Sequence, residues 1–206
     1  MFVVDDDASV RGALARLLHS AGYQTEAFAS AEGFLAQGRF DAPGCILLDV
    51  RMPGLNGLEL QEALAAADQQ LPIVFITGYG DVPMSVRAMK AGAEDFLPKP
   101  FDDEELLKAV ARALNKSQRE QNERTEAVEI RRRLSSLTPR EREVLCHVVA
   151  GQLNKQIAVD LSIAEKTIKV HRARVMEKMG ASSLAGLVAM TARIGIHTPP
   201  ALLTNL

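Results

Sequence analysis

CILLDVRMPGLNG, residues 45–57, sets the fold. Its first four residues are apolar without alternation, the pattern of a strand buried on both faces of a parallel sheet. The run then meets a carboxylate, Asp49. Residues 73–76, IVFI, repeat the pattern and are followed by a hydroxyl, Thr77. Outward from these two runs, short apolar stretches alternate with helical patterns. Strands are expected at 2–4, around 24–28, at 45–48, 73–76 and 96–97, and helices at 10–18, 31–35, 58–66, 82–91 and 106–114. Five β and five α segments in alternation imply right-handed crossovers and an α/β doubly wound, five-stranded parallel sheet covered by helices on both faces. In such folds functional side chains collect just past the C-terminal ends of the central strands.

The chain has 206 residues, of which 47% are hydrophobic and 24% charged. That composition excludes disordered, collagenous and membrane-spanning classes, and the length suits two short domains. No apolar run approaches the roughly 18 residues of a transmembrane helix. The opening MFVVDDD turns acidic at once, which argues against a secretory signal and for a cytoplasmic protein. Cys45 and Cys146 lie far apart in apolar segments, so two buried thiols are expected rather than a disulfide or zinc site.

Charge divides the chain. Residues 1–114 hold nine Lys/Arg against 17 Asp/Glu, net −8; residues 115–137 hold six against four, net +2; residues 138–206 hold nine against five, net +4. An acidic module beside a basic one suggests that the second meets an anion such as nucleic acid. Between 115 and 133 the apolar stripe is lost without Gly or Pro, which predicts that the helix begun near Asp103 continues as an exposed linker over 115–136, with a flexible coil as the alternative. Val128, Ile130 and Leu134 restore apolar character, as if the far end packs on something, for instance a partner copy.

After Leu137 the pattern is wholly helical. It opens on Thr138, Pro139, Arg140 and Glu141, a capping box with Pro at the first helical position. NKQIAVDL, a break at 162–164 and EKTIKVHRARVMEKM follow, two helices around a tight turn, the second studded with basic residues. This is a helix-turn-helix pattern.

The strand-end residues carry the chemistry. Asp5, Asp6 and Asp7 follow the first strand and Asp49 stands at the end of the third, so several carboxylates converge where their repulsion calls for a cation. Mg²⁺ suits them, because it takes one or two carboxylates, keeps waters and binds phosphate oxygens. Asp7 is also placed to cap the first helix. Thr77 and Lys99 bring a hydroxyl donor and an ammonium to the same edge, and transferring phosphoryl oxygens want that set.

These residues carry a resemblance. The acidic pair after strand one, LLDVRMPGLNG around Asp49, ITGYGD at Thr77 and AMKAGAEDFLPKPF ending in Lys99, Pro100 and Phe101 resemble a CheY-like (flavodoxin-like) receiver domain of two-component response regulators over residues 1–114. The resemblance implies that Asp49 accepts a phosphoryl group from a histidine kinase. It implies that Asp5, Asp6, Asp49 and the backbone carbonyl of Arg51 hold Mg²⁺, that Thr77 and Lys99 bind the phosphoryl oxygens, and that Phe96 swings inward when Thr77 moves. It also implies a cis bond between Lys99 and Pro100. Only Met1 precedes the first strand, so either a short strand or a truncated chain is expected.

LTPREREVL at 137–145 and GQLNKQIAVDLSIAEKTIKVHRARVMEKMG at 151–180 resemble the LuxR-type helix-turn-helix of NarL/FixJ regulators, assigning 137–206 to an all-α DNA-binding domain. By that resemblance Lys169, Val170 and Ala173 face bases, with Lys155, Lys166, Thr167, Arg172 and Arg174 at phosphates or flanking positions and His171 sharing in readout. Ala164 stands where these helices usually place a Ser or Thr cap. Ile168, Val175 and Met179 read as core.

The expected function is a phosphorylation-switched transcription factor, more often an activator in this family, with a histidine kinase, an operator in double-stranded DNA and RNA polymerase as partners. The resemblance implies that phosphorylation repacks the face formed by 82–91, Phe96 and 103–114 and then favours a homodimer or releases the DNA-binding domain, a helical linker favouring the homodimer. A small-metabolite phosphotransferase would need an acid two positions after Asp49, where Arg51 stands, and would need a cap insertion. A constitutive DNA binder with an idle receiver is the other alternative. The expected catalysis is confined to phosphoryl transfer to, and hydrolysis at, Asp49 itself.

Overall fold

Apolar runs in the first half are buried on both sides because consecutive strand residues point to opposite faces. Val4, Ile46, Leu48 and Phe75 face one layer with Phe34, Leu60 and Leu64. Val3, Leu47, Val74 and Ile76 face the other, with Leu14, Leu18, Leu106 and Val110. The computed structural model describes residues 1–38, 42–69, 71–78 and 82–196. The tail of the ITGYGD motif, Tyr79 to Asp81, and the last ten residues of the expected DNA-binding domain lie outside the described residues.

The first unit consists of β1 (Phe2–Val4), α1 (Ala8–Ser20), β2 (Glu26–Phe28), α2 (Ala31–Leu35), β3 (Ile46–Asp49), α3 (Gly57–Ala66), β4 (Ile73–Thr77), α4 (Val82–Lys90) and β5 (Asp95–Pro98), followed by the long α5 (Asp103–Ser135). All strand pairs are parallel, in the order β2-β1-β3-β4-β5. This is the expected doubly wound sheet, with β1 reduced to three residues. The order places β1 between β2 and β3, so the ends of β1 and β3 adjoin. Asp49 ends β3 as expected, and Thr77 proves to be the last residue of β4 rather than the first residue after it. Cys45 and Cys146 are both buried and free, and burial pushes the Cys45 thiol up to about 12.

Helix starts follow their caps. The Asp7 carboxylate accepts the amides of Ser9 and Val10 at 2.7 and 3.3 Å, and Asn56 with Glu59 forms a capping box on α3. The boundary between the compact units falls at Asn122 and Glu123, inside α5. Ser117 is buried in the first unit, its hydroxyl accepting the Gly44 amide at 3.1 Å.

The second unit adds α6 (Pro139–Val149), α7 (Asn154–Asp160), α8 (Glu165–Met179) and α9 (Leu184–Arg193) to the end of α5. Its core joins Ile130 and Leu134 to Val144, Leu145, Ile157, Ile168, Val175, Met179 and Leu187. The apolar return at the end of the linker is thus explained within the chain: Ile130 and Leu134 pack on the chain's own helices, and only Val128 stays exposed. Thr138 and Glu141 form the expected capping box. The turn between α7 and α8 requires a positive φ of 52° at Ser162, unusual for a residue with a β-carbon.

Candidate functional site

Two carboxylates and one ammonium meet at the C-terminal edge of the sheet. Asp5 lies just past β1 and Asp49 ends β3, and both are buried. Lys99, the residue after β5, donates its Nζ to Asp5 Oδ2 at 2.8 Å and to Asp49 Oδ1 at 3.3 Å. Burial raises the pKa of Asp49; the Lys99 charge lowers it and the Asp5 charge raises it. Burial works against the Lys99 ammonium, but the hydrogen bond and charge of Asp5, with those of Asp49, outweigh it and its pKa rises. The lysine is a bridge between two anions.

The backbone holds these side chains in place. Asp49 Oδ2 accepts the Arg51 amide at 2.8 Å, leaving Oδ1 toward Lys99. Asp5 Oδ1 accepts the Asp7 amide at 2.8 Å, and Arg11 Nη1 donates to the Asp5 carbonyl at 2.7 Å. The Lys99 amide donates to the Thr77 carbonyl at 2.8 Å, which brings β5's end beside β4's, and the Lys99–Pro100 bond is cis. Thr77 is buried at the same edge. Phe96 is half-buried, its ring 6.1 Å from that of Phe75. Asp6 is exposed, and among the described residues no three acid, His or Cys side chains form a metal-sized group.

The donor set nevertheless suits Mg²⁺, which needs only one or two carboxylates and fills its octahedron with carbonyl and water oxygens. Asp5 and Asp49 supply two buried hard donors facing a single ammonium. That leaves a net negative charge at the sheet edge, which would attract a divalent cation.

Sequence reading missed the supports of the loop after Asp49. A β-carbon on Gly57 would lie 2.3 Å from the Asp49 carbonyl oxygen, so only glycine permits α3 to start against β3. Glu32 accepts the Leu55 amide at 2.8 Å from across the loop, and that bond, first among several, holds its carboxyl below the usual range. The NG dipeptide at Asn56 was a visible signal for the first; nothing local marked the second.

In the second unit, α8 presents Lys166, Thr167, Lys169, Val170, Ala173 and Arg174 as exposed residues, and Lys155 is exposed on α7. Ile168, Val175 and Met179 are fully buried beneath them. The remaining two expected contacts are placed differently. Arg172 is half-buried and donates to Asn154 Oδ1 at 3.0 Å. His171 is half-buried with its Nδ1 enclosed and unpartnered. As its sequence implied, Ala164 gives α8 no side-chain cap; Glu165 stands in the first turn, its carboxylate 3.3 Å from Lys169.

Residues 1–111 match the response regulator receiver domain family and residues 135–191 match the luxR family of bacterial regulatory proteins. The chain belongs to the NarL/FixJ response regulators. This regulator is 45% identical over 196 residues to nodulation protein W of Bradyrhizobium diazoefficiens, covering 95% of its own length and 86% of that protein. It is likewise 45% identical over 194 residues to response regulator protein TodT of Pseudomonas putida, covering 94% and 86%. Among solved structures it resembles response regulator StyR, with 48% identity, a TM-score of 0.82 and 93% and 97% of the two chains covered. Full-length FixJ from B. japonicum follows at 43% identity and a TM-score of 0.57, over 95% and 96%. The regulator is a DNA-binding transcription regulator, and no helix among its described residues is long and apolar enough to cross a membrane.

Proposed function

We propose that Asp49 is the phosphoacceptor and that its phosphorylation controls DNA binding by the second unit. The observation that carries this reading is the Lys99 ammonium held between Asp5 and Asp49 at the strand ends, 2.8 and 3.3 Å away. Asp49 Oδ1 attacks the phosphorus of a kinase phosphohistidine; the new O–P bond forms as the P–N bond breaks and the imidazole departs with the electron pair. Lys99 balances charge on the transferred oxygens, and the Thr77 hydroxyl donates to one of them. Asp5, Asp6, Asp49 and the Arg51 carbonyl would hold Mg²⁺, which when bound neutralises charge developing on the phosphoryl oxygens. Hydrolysis at Asp49 uses the same groups.

The added charge on Asp49 favours an inward Thr77 and Phe96, repacking the face of α4, β5 and the first part of α5. Val82, Val86 and Met89 already expose apolar surface on α4, which suits pairing of two copies. A homodimer then sets two α8 helices on half-sites about one helical turn apart, where Lys169, Val170 and Ala173 read bases, Lys155, Lys166, Thr167, Arg172 and Arg174 serve phosphates or flanks, and His171 assists. In this reading the receiver is 1–114, the linker 115–136 and the DNA-binding domain 137–206. The protein works in the cytoplasm with a histidine kinase, an operator and RNA polymerase, as an activator.

Intact-mass measurement after incubation with Mg²⁺ and acetyl phosphate tests the acceptor. One added phosphoryl group in the natural protein and none in Asp49→Asn is the expected result. Equal labelling of both would place the acceptor elsewhere.

A further inference from the structure

The recognition helix α8 ends on a Schellman-type turn: Gly180 sits at φ 67°, its amide donates to the Glu177 carbonyl and the Ala181 amide to the Met176 carbonyl. Those bonds leave the last carbonyl, that of Met179, without a helical partner. Arg133, near the end of α5, fills the gap. Its Nη1 donates to the Met179 oxygen at 3.0 Å, and a β-carbon on Gly180 would meet that same nitrogen at 2.5 Å. The guanidinium is therefore packed against the end of the helix, a cation at the negative pole of its dipole. It is itself aimed from behind, because its Nε donates to Glu129 Oε1 at 2.8 Å. Glu129 also takes both Arg132 contacts, and these bonds hold its carboxyl down to about 2.

The other flank of α8 is held by the bond from Arg172 to Asn154 of α7. A helix of 15 residues is about 22 Å long, so fixing its far end sets the tilt at which Lys169, Val170 and Ala173 are presented. Arg133 lies outside the expected DNA-binding domain, yet Ile130 and Leu134 beside it belong to the same core as Ile168, Val175 and Met179.

We infer that Arg133, aimed by Glu129, is a positioning residue for sequence-specific DNA recognition, and that the last turns of α5 are a working part of the DNA-binding module. This rests on α8 being the recognition helix. Arg133 touches the helix end and need not touch DNA.

The test uses the full chain and two probes, a duplex enriched by the natural protein from a random-sequence pool and the unselected pool itself. Arg133→Ala is expected to weaken binding to the enriched duplex about tenfold, the scale of a lost charge-assisted hydrogen bond, with binding to the pool and the salt slope unchanged. Arg133→Lys, which keeps one donor and the charge, is expected to recover most of the loss. Amide hydrogen exchange is expected to quicken at Gly180 and Ala181 in Arg133→Ala alone. Unchanged affinity for the enriched duplex, or unchanged exchange at the helix end, would overturn the inference. So would a salt slope smaller by about one in Arg133→Ala with equal loss on both probes, the signature of a direct phosphate contact. If the natural protein enriches no duplex, the recognition-helix reading itself falls.

Discussion

The two units handle charge in opposite ways. In the first, the functional groups are buried anions whose partners are already in place, Asp5 and Asp49 on Lys99 and on backbone amides. In the second, Lys155, Lys166, Lys169 and Arg174 are exposed cations on α7 and α8, carried by helices packed on the core beneath them. Taking a charge from water is costly unless it is paired, so a pocket that must react with an anion is prebuilt from interlocking groups. A surface that meets a phosphate backbone can leave its cations in water until the counterions depart. Substitutions in the first unit should accordingly act through geometry and stability, and those in the second through affinity and its salt dependence.

The largest test of that contrast is Gly57→Ala. The new β-carbon has nowhere to go against the Asp49 carbonyl, and overpacking of this kind costs about 3 kcal/mol. Urea unfolding is expected to show a lower midpoint for the first unit and an unchanged one for the second. A unit as stable as the natural one would show that the loop after Asp49 is slack.

Next in size is Glu141→Gln. Glu141 is buried, accepts from Lys178 at 2.7 Å and from the Thr138 amide at 2.9 Å, and is held down to about 2, first by Lys178 and then by Thr138. Its folded pKa lies below the unfolded value of about 4.5, so the stability it contributes is present above that pH and is lost as pH falls toward 2. Glu141→Gln should cost about 2 kcal/mol near pH 7 and flatten the acid limb of the second unit's unfolding curve, followed by far-ultraviolet circular dichroism. An acid limb of unchanged steepness would break the exception that Glu141 represents, a paired charge in the unit of exposed ones.

Smaller effects separate the exposed cations from one another. Lys169→Ala should cost about 1–3 kcal/mol on a selected duplex and relax its sequence preference. Lys155→Ala should weaken all duplexes alike and lower the salt slope by about 0.9. Titrations at several salt concentrations decide both. Smallest is Ala164→Ser, which supplies the missing cap of α8 and should raise the second unit's stability by about 1 kcal/mol.

What was legible in the sequence follows the same division. Runs such as CILL and IVFI announced buried parallel strands, and their fixed order carried Asp49, Thr77 and Lys99 to one edge. The end of β4 lies one residue further on than its apolar run, because pairing with β5 extends through Thr77. Periodicity likewise separated Ile168, Val175 and Met179 from the exposed face of α8. It did not separate Arg172 and His171 from that face, since a half-buried arginine paired with Asn154 leaves no local signal. Contacts between residues distant in sequence, Glu32 on Leu55 or Arg133 on Met179, were illegible for the same reason. The apolar return at Ile130 and Leu134 was visible, but its partner was not.

The central claim is that a charge placed on Asp49 changes how the second unit binds DNA. Binding of the intact protein to a selected duplex, with Mg²⁺ and with or without beryllofluoride, beside Asp49→Asn, tests it most directly. The account predicts tighter binding with the phosphoryl mimic, by roughly the 5- to 150-fold typical of coupled sites, and no gain in Asp49→Asn. Equal affinities with and without a mimic that demonstrably occupies the pocket would contradict it.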